Sequence, residues 1–137
     1  MNILIVESRY HPAVSDALAD GATAALEKGG AQFERVSVPG ALEIPTAIVL
    51  AARTHRFEGY VALGSVVRDE NHQFEIIARE SAGGLMRLAT DHGHCIGNGI
   101  VAANSEGEAL RLAQEGDAGG DAARACLSLV ALKGRLT

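Results

Sequence analysis

The amino-acid sequence predicts an α/β fold in which a parallel β-sheet lies between two layers of helices. Short apolar runs of strand length alternate with longer stretches in which apolar residues recur at helical spacing. Strands that alternate with helices in this way are typical of parallel sheets with helical crossovers. No internal repeat, linker or low-complexity segment interrupts the pattern, so residues 1–137 are expected to form one domain.

In the first half of the chain, two predicted strands are each followed by a predicted helix. Residues 2–6 form the first apolar run, and helical spacing follows over residues 12–29, with Pro12 suited to a first helical turn. Residues 32–38 alternate apolar and polar side chains, which predicts a second strand. Helical spacing then returns and ends near Thr54, with Pro45 tolerable only in the first turn of that helix.

The second half repeats the alternation around a polar loop. Residues 60–63 predict a buried strand, and the polar cluster 68–73 separates it from a helical stretch. The apolar positions of that helix are Phe74, Ile77, Ala78, Ser81, Leu85 and Leu88. Residues 95–101 predict a fourth strand, and Gly97 and Gly99 within it indicate a close approach by a ligand or another chain.

Two helices are predicted to complete the chain. Ser105 and Glu108 have the spacing of a capping box, which predicts a helix start, and residues 115–120 are expected to end that helix. A last helix is predicted over residues 122–133. Its apolar face would consist of Ala125, Cys126, Leu129 and Leu132.

Four strands and about five helices make a flavodoxin-like three-layer sandwich with a four-stranded parallel sheet. A sheet of this size has exposed edges, and its core would be rich in alanine and glycine. Both features favour assembly into a homo-oligomer.

Composition excludes several classes of function. Apolar residues make up 47% of the chain and charged residues 21%, as in a folded soluble protein. The net charge of −5 argues against nucleic acid as a partner, and no apolar run approaches the length of a membrane span. Cys95 and Cys126 stand alone, so they indicate neither a disulfide framework nor a metal site. The short apolar start lacks a basic leader, which favours a cytoplasmic protein.

Three polar segments are expected to meet at the carboxyl edge of the sheet, where open α/β sheets place their ligands. They are residues 8–11, 38–45 and 65–73. Tyr10 is either a partly buried strand-end residue or a stacking face for a flat heterocycle. Glu43 is either a helix N-terminal acid or an acceptor for a substrate rich in hydroxyls. His72 is either a solvated loop residue or, beside Arg68, a proton carrier near neutral pH.

Three sequence motifs resemble the lumazine synthase family, and the resemblance extends over nearly the whole chain. They are VPGALEIP, ALGSVVRDENHQFEIIARES and IGNGIVAANSEGEAL. The family condenses a ribitylamino-pyrimidinedione with dihydroxybutanone phosphate to give 6,7-dimethyl-8-ribityllumazine, phosphate and water. The resemblance therefore implies a flavodoxin-like fold, no metal, no cofactor, and pentamers with active sites between neighbouring subunits.

The resemblance also assigns roles to individual positions. Tyr10 falls where the family stacks an aromatic ring on the pyrimidine, and Asn98 falls where many members carry an aromatic residue from the neighbouring subunit. The segment that holds the ribityl chain corresponds to Gly40, Ala41, Leu42 and Glu43. The segment whose backbone contacts the pyrimidine edge corresponds to Ser65, Val66 and Val67. The phosphate-binding pair corresponds to Glu70 and Asn71.

The chain departs from the family pattern at several polar positions. Asp69 and Asn71 stand where glycine and threonine are usual. The family's catalytic histidine aligns with Gln73, and this chain carries His72 one place earlier; glutamine can orient a proton donor but cannot titrate. The phosphate-binding arginine aligns with Leu112, or with Arg111 after a small shift. A family lysine has no counterpart, since it aligns near Ala118 or Gly120.

Two functional hypotheses follow from the resemblance. The favoured one is an active lumazine synthase in which His72 and Gln73 serve the acid–base step. The alternative is a weakly active or non-catalytic relative that binds a lumazine or a flavin. The chain begins directly at the first strand, and residues 115–120 depart from the family, so a pentamer or a pair of pentamers is expected.

Overall fold

The computed structural model describes residues 1–70 and 72–137 of the chain, without the side chain of Glu70. The strands are β1 (Asn2–Ser8), β2 (Gln32–Val38), β3 (Gly59–Val67) and β4 (Cys95–Ala103). The helices are α1 (Pro12–Lys28), α2 (Ile44–Ala52), α3 (Phe74–His92), α4 (Glu106–Gln114) and α5 (Ala118–Leu136). Short 3₁₀ turns, Ala41–Glu43 and Arg68–Glu70, precede α2 and α3.

All four strands run parallel, in the order β2-β1-β3-β4. The chain leaves β1 for β2 on one side and returns to β3 on the other, so the strand order reverses between β1 and β3. Every residue of β3 is buried, as expected for an inner strand of a parallel sheet. The reversal places a crevice beyond the carboxyl ends of β1 and β3, which is the usual ligand position in doubly wound sheets.

Helices cover both faces of the sheet, and the predicted three-layer α/β sandwich is confirmed. Successive side chains of β1 point to opposite faces, so Ile3 and Ile5 pack in one core cluster while Leu4 and Val6 pack in the other. The first cluster includes residues of α1, α4 and α5, and the second includes residues of α2 and α3.

Local sequence signals account for the helix starts. Pro12 and Pro45 stand in the first turns of α1 and α2, where a missing N–H removes no helical hydrogen bond. The Ser105 hydroxyl oxygen accepts a hydrogen bond from the Glu108 backbone N–H at 3.1 Å, so the predicted cap of α4 is confirmed.

The predicted end of α4 before residue 115 is confirmed, but the break is shorter than residues 115–120 because α5 already begins at Ala118. Gly119 and Gly120 lie buried in its first turn. A Cβ atom on Gly119 would lie 2.0 Å from the backbone oxygen of Leu18 in α1. Glycine at this position is therefore required by the close contact between two helices and does not mark a chain break.

The predicted apolar face of α5 was also largely wrong. Cys126 is buried as expected, but Ala125 is exposed, and Leu129 and Leu132 are each 40% exposed. The buried residues of α5 include Ala122, Ala123 and Cys126. Small side chains let the helix approach the sheet closely, and this packing rotates the leucines outward.

The close approach predicted for the β4 glycines is made by α5 of the same chain. A Cβ atom on Gly97 would lie 1.8 Å from the Ala122 backbone oxygen. A Cβ atom on Gly99 would lie 2.7 Å from a Leu63 methyl group and 3.1 Å from the Ala122 Cβ. The expectation of a ligand or another chain at these glycines was therefore wrong.

Candidate functional site

A pocket of about 270 Å³ lies at the carboxyl edge of the sheet. The connections after β1 and β2 contribute to it, and β3 contributes its own last residues, Ser65, Val66 and Val67. Each of the three predicted segments, 8–11, 38–45 and 65–73, therefore supplies residues to the pocket. Its walls are formed by Ser8, Tyr10, His11, Pro39, Gly40, Ala41, Glu43, Ser65, Val66, Val67 and Ile77. The pocket thus occupies the crevice where the strand order reverses.

The hydroxyl group of Ser8 is buried in the pocket wall without a hydrogen-bond partner among the described residues. Its backbone oxygen accepts a bond from the Ser15 hydroxyl at 3.4 Å. Gly64 of β3 leaves room for the Ser8 side chain, since a Cβ atom there would lie 2.5 Å from the Ser8 Oγ. Buried polar atoms rarely lack a partner, so the Ser8 hydroxyl is suited to bind a ligand atom or a water molecule.

His11 and Ser65 form a buried hydrogen-bonded pair in the same pocket. The His11 Nδ1 lies 2.8 Å from the Ser65 Oγ, and the two residues are only 6% and 8% exposed. His11 is the N-cap residue of α1, and Pro12 after it favours the extended backbone that His11 adopts (φ −111°, ψ 102°).

Ser65 was a predicted site residue, but His11 and its contact with Ser65 were missed. A sequence signal existed for His11 alone, because a histidine between a strand end and a proline at the first helical position is held in an extended conformation. A single histidine is otherwise uninformative, and its contact with Ser65 joins residues 54 positions apart.

Tyr10 stands at the mouth of the pocket with its ring against that of His11. The ring centroids lie 4.9 Å apart at an interplanar angle of 78°, an edge-to-face arrangement. Tyr10 is 69% exposed, so the alternative of a partly buried strand-end residue was wrong. An exposed ring face at a pocket mouth is suited to stack on a planar ligand.

Glu43 supplies a charged group to the pocket wall, and Gly40 gives it space. A Cβ atom on Gly40 would lie 3.2 Å from the Glu43 Oε1, tighter than an ordinary contact. A carboxylate here can accept hydrogen bonds from ligand hydroxyls. The adjacent Leu42 is exposed and is not part of the pocket wall.

A charged network beside the pocket fixes the β1–α1 connection that carries Tyr10 and His11. The buried Glu7 carboxylate accepts hydrogen bonds from Arg35 at 2.7 and 3.1 Å and from Arg9 at 2.7 Å. Arg9 also pairs with Asp16. Burial alone would raise the pKa of Glu7, but the hydrogen bonds from Arg35 and Arg9 outweigh it and the pKa is lowered.

The predicted catalytic pair lies in the turn that leads into α3. His72 and Gln73 are both exposed, and neither is part of the pocket wall. Gln73 is the N-cap residue of α3, without a side-chain cap bond. Arg68 donates to the Asn104 Oδ1 at 3.1 Å and lies in an ion pair with the Glu75 carboxylate at 3.2 Å.

Two of the predicted phosphate-binding residues are described only in part or lie outside the described residues. Glu70 closes the 3₁₀ turn after β3, with its side chain outside the described part, and Asn71 lies outside the described residues. Arg111 and Leu112 belong to α4 and are not in the pocket wall. The described residues therefore leave the predicted phosphate site as a prediction.

Asn98 lies on β4, at the edge of the sheet, and also stands apart from the pocket. Its side-chain oxygen accepts a hydrogen bond from the Ile100 backbone N–H at 2.9 Å. The predicted residues that do line the pocket are Tyr10, Gly40, Ala41, Glu43, Ser65, Val66 and Val67.

Within residues 1–70 and 72–137, no cluster of three or more histidine, cysteine or acidic side chains is arranged to hold a metal ion. No helix in the same part of the chain combines the length and apolar character needed to cross a bilayer. The two cysteines are buried, and burial raises the pKa of the Cys126 thiol to about 12.

The fold and the pocket define a doubly wound α/β protein with a ligand site at the reversal of strand order between β1 and β3. A family model described as 6,7-dimethyl-8-ribityllumazine synthase matches residues 1–134. The chain therefore belongs to the 6,7-dimethyl-8-ribityllumazine synthase family.

Individual relatives match over nearly their full lengths. The chain is 48% identical over 134 residues to the 6,7-dimethyl-8-ribityllumazine synthase of Sphingopyxis alaskensis, an alignment that covers 96% of this chain and 94% of the relative. The protein of the same name from Novosphingobium aromaticivorans is 49% identical over 134 residues, with 96% of each chain covered. The one from Zymomonas mobilis is 46% identical over 136 residues, covering 98% of this chain and 97% of the relative.

Proposed function

We propose that this chain is a lumazine synthase, a transferase that condenses a ribitylamino-pyrimidinedione with dihydroxybutanone phosphate. The products are 6,7-dimethyl-8-ribityllumazine, phosphate and water, in the cytoplasmic synthesis of riboflavin. The observation that carries the proposal is the pocket at the carboxyl edge of the sheet, formed by the segments that resemble the substrate-binding segments of the family. Residues 1–137 would act as one catalytic domain without a cofactor. No observation favours the non-catalytic alternative.

Each wall of the pocket suits one part of the pyrimidine substrate. The exposed ring of Tyr10 offers a stacking surface for the heterocycle at the mouth. The Glu43 carboxylate can accept hydrogen bonds from ribityl hydroxyls. The backbone of Ser65, Val66 and Val67 ends the central strand and would contact the polar edge of the ring.

The second substrate requires a phosphate site, and its proposed ligands are divided between subunits. Glu70 and Asn71 would belong to the same subunit as the pocket, at the start of α3, where backbone N–H groups favour an anion. Arg111 or Leu112 stands on α4, away from this pocket, so these positions and Asn98 would serve the pocket of a neighbour.

A pentamer, or a pair of pentamers, is the assembly that the family resemblance implies, and this proposed division between subunits supports it. The pocket of one subunit has a volume of about 270 Å³, slightly below the range of about 300–1,000 Å³ typical of ligand sites. Tyr10 and Leu42 stand exposed beside it, and α5 exposes Leu129 and Leu132. A neighbouring subunit would cover such groups and complete the site. A monomer in sedimentation velocity at micromolar concentration would contradict this assembly.

Binding of the two substrates next to each other accounts for much of the expected acceleration of the reaction. Holding an aromatic amine against a ketone in reactive geometry can supply about 7–11 kcal/mol of the barrier. A positioned acid–base group adds roughly 10²–10⁴-fold. His72 and Gln73 are the residues that the family resemblance places at that second step.

Substitution of Glu43 tests the proposed site. Glu43→Gln should raise the KM for the pyrimidine by about tenfold, since a hydrogen bond to a charged group contributes about 1.5–3 kcal/mol. Glu34→Gln is the matched control, because Glu34 lies on the exposed edge strand β2 and outside the pocket. Equal KM values for both variants and the parent would refute the assignment of Glu43.

A further inference from the structure

We propose that His11 and Ser65 form the proton relay of this enzyme. The inference rests on the proposed lumazine synthase activity and names the catalytic group within its pocket. The imidazole would hold the proton, and the Ser65 hydroxyl would pass it to the substrate.

Geometry supports this pair as the acid–base group. The His11 Nδ1 and the Ser65 Oγ are 2.8 Å apart, within hydrogen-bond distance, and both residues are in the pocket wall. His11 is the only histidine among the described residues of that wall. An unperturbed imidazole titrates near pH 6.5, so it can both give and accept a proton near neutral pH.

Two elements fix the pair in place. His11 is tied to the start of α1, where its backbone oxygen accepts the helical hydrogen bond from Ser15 N–H at 2.8 Å. Ser65 belongs to β3, the fully buried inner strand. A relay built on rigid elements holds the reacting groups more accurately than one built on a loop.

Charged and neutral groups from several elements surround His11. Glu43 lies in the same pocket wall. Arg9 is engaged by Glu7 and Asp16. Tyr10 meets the imidazole edge to face, and Ser65 on β3 contributes a neutral hydroxyl.

The relay acts when the adduct of the amine and the ketone loses water. The Nδ1 proton of the His11 imidazolium passes to the Ser65 Oγ while the Ser65 hydroxyl proton passes to the hydroxyl oxygen of the adduct. The carbon–oxygen bond breaks, the nitrogen lone pair forms the C=N bond, and water leaves. The neutral imidazole then recovers, through Ser65, the N–H proton of the iminium. The imine is left neutral and the imidazolium is restored.

His11→Asn is the main test. Asparagine is a favoured N-cap residue, so it should preserve the start of α1 while removing the titrating group. The kcat should fall at least tenfold, by the lower part of the usual contribution of a general acid–base, with KM changed less than threefold. The pH–rate profile should lose the limb that the imidazole of the parent produces. His92→Asn is the matched control, because His92 ends α3 and is not in the pocket wall.

Ser65 variants separate a relay from a structural contact. Ser65→Ala should lose as much kcat as His11→Asn, and Ser65→Thr, which keeps a hydroxyl, should recover most of it. The double variant should be no slower than either single variant, because both remove the same relay. Additive losses, or a parent-like pH profile in His11→Asn, would overturn the proposal. Loss of kcat confined to His72→Asn would assign the step to His72 instead.

A second measurement keeps this result separate from the proposed function. Histidine ring signals are recorded by NMR while the parent is titrated with the ribitylamino-pyrimidinedione alone. The His11 signals should shift on binding, and His92 signals should not. If the parent makes no lumazine but the His11 signals shift, the proposed activity fails and the site remains. If the His11 signals do not move, the relay is wrong whatever the activity.

Discussion

The buried carboxylate of Glu7 gives the sharpest test of how the site is supported. It joins Arg35 of the edge strand β2 to Arg9, one residue before Tyr10, through hydrogen bonds of 2.7 to 3.1 Å. Removing the charge by Glu7→Gln should weaken these bonds and release the β1–α1 connection. We therefore expect effects on both stability and substrate binding.

The size of the stability effect follows from burial. Hydrogen bonds to charged groups each contribute about 1.5–3 kcal/mol. The side chains of Arg9 and Arg35 are 34% and 43% exposed, so water can solvate both after the change and recover part of the loss. The expected decrease in the free energy of unfolding is about 2–3 kcal/mol. Glu34→Gln is the control, because Glu34 pairs with Arg56 at the surface. This substitution should lower the free energy of unfolding by only about 0–1 kcal/mol.

The pH dependence adds an independent check. The pKa of Glu7 is lowered in the folded state from its ordinary value of 4.5, so the folded protein binds fewer protons than the unfolded chain. Its contribution is complete above pH 4.5 and is lost as the pH falls through the folded-state pKa. The stability difference between the parent and Glu7→Gln should therefore shrink in acid.

Urea unfolding followed by circular dichroism measures both effects, at one fixed protein concentration because the proposed assembly would make stability depend on concentration. The series is run at pH 7.5 and repeated below pH 4. The proposed contribution of the Glu7 carboxylate is refuted if Glu7→Gln lowers the free energy of unfolding by no more than Glu34→Gln at pH 7.5. A difference that stays constant into acid would also refute it.

Three further outcomes are expected. Ser8→Ala should leave the free energy of unfolding unchanged or raise it by about 1 kcal/mol in urea titrations, because it removes a buried hydroxyl that has no partner among the described residues. A decrease in that free energy of more than about 1 kcal/mol would contradict this. Gly97→Ala should lower the free energy of unfolding by about 2–3 kcal/mol or more, since the new Cβ would lie 1.8 Å from a backbone oxygen of α5. Gly134→Ala is the control and should not lower it, because a Cβ atom there meets nothing within 4 Å. Cys126 should react with a thiol reagent at pH 8 only after unfolding, because burial raises its pKa to about 12; prompt reaction of the native protein would show that it is accessible.

Hydrophobic periodicity predicted the architecture well because the inner strands and the helices carry strong apolar patterns. The alternation in β2 gave its bounds, Gln32–Val38, as the structure has them. The α5 helix was misjudged because larger side chains dominate a hydrophobic pattern. Its packing is decided by steric contacts of Gly119 against Leu18 and of Gly97 against Ala122, which depend on the absence of a side chain.

The position of the site was predictable from the sequence, but one of its side-chain contacts was not. Parallel strands end at one edge, so the segments containing Tyr10, Glu43 and Ser65 had to converge there. The contact between His11 and Ser65 depends on the distance between the start of α1 and β3, which no local pattern encodes. Asn98 and Arg111 stand apart from the pocket of their own chain, so their predicted roles stay predictions.

The initial rate of lumazine formation tests the central claim most directly. Both substrates are mixed at fixed concentrations with increasing amounts of the protein, and lumazine absorbance and released phosphate are followed together against the spontaneous reaction. The account predicts a rate proportional to protein concentration, saturable in each substrate, with one phosphate released for each lumazine formed. A rate equal to the spontaneous one at every protein concentration would contradict it.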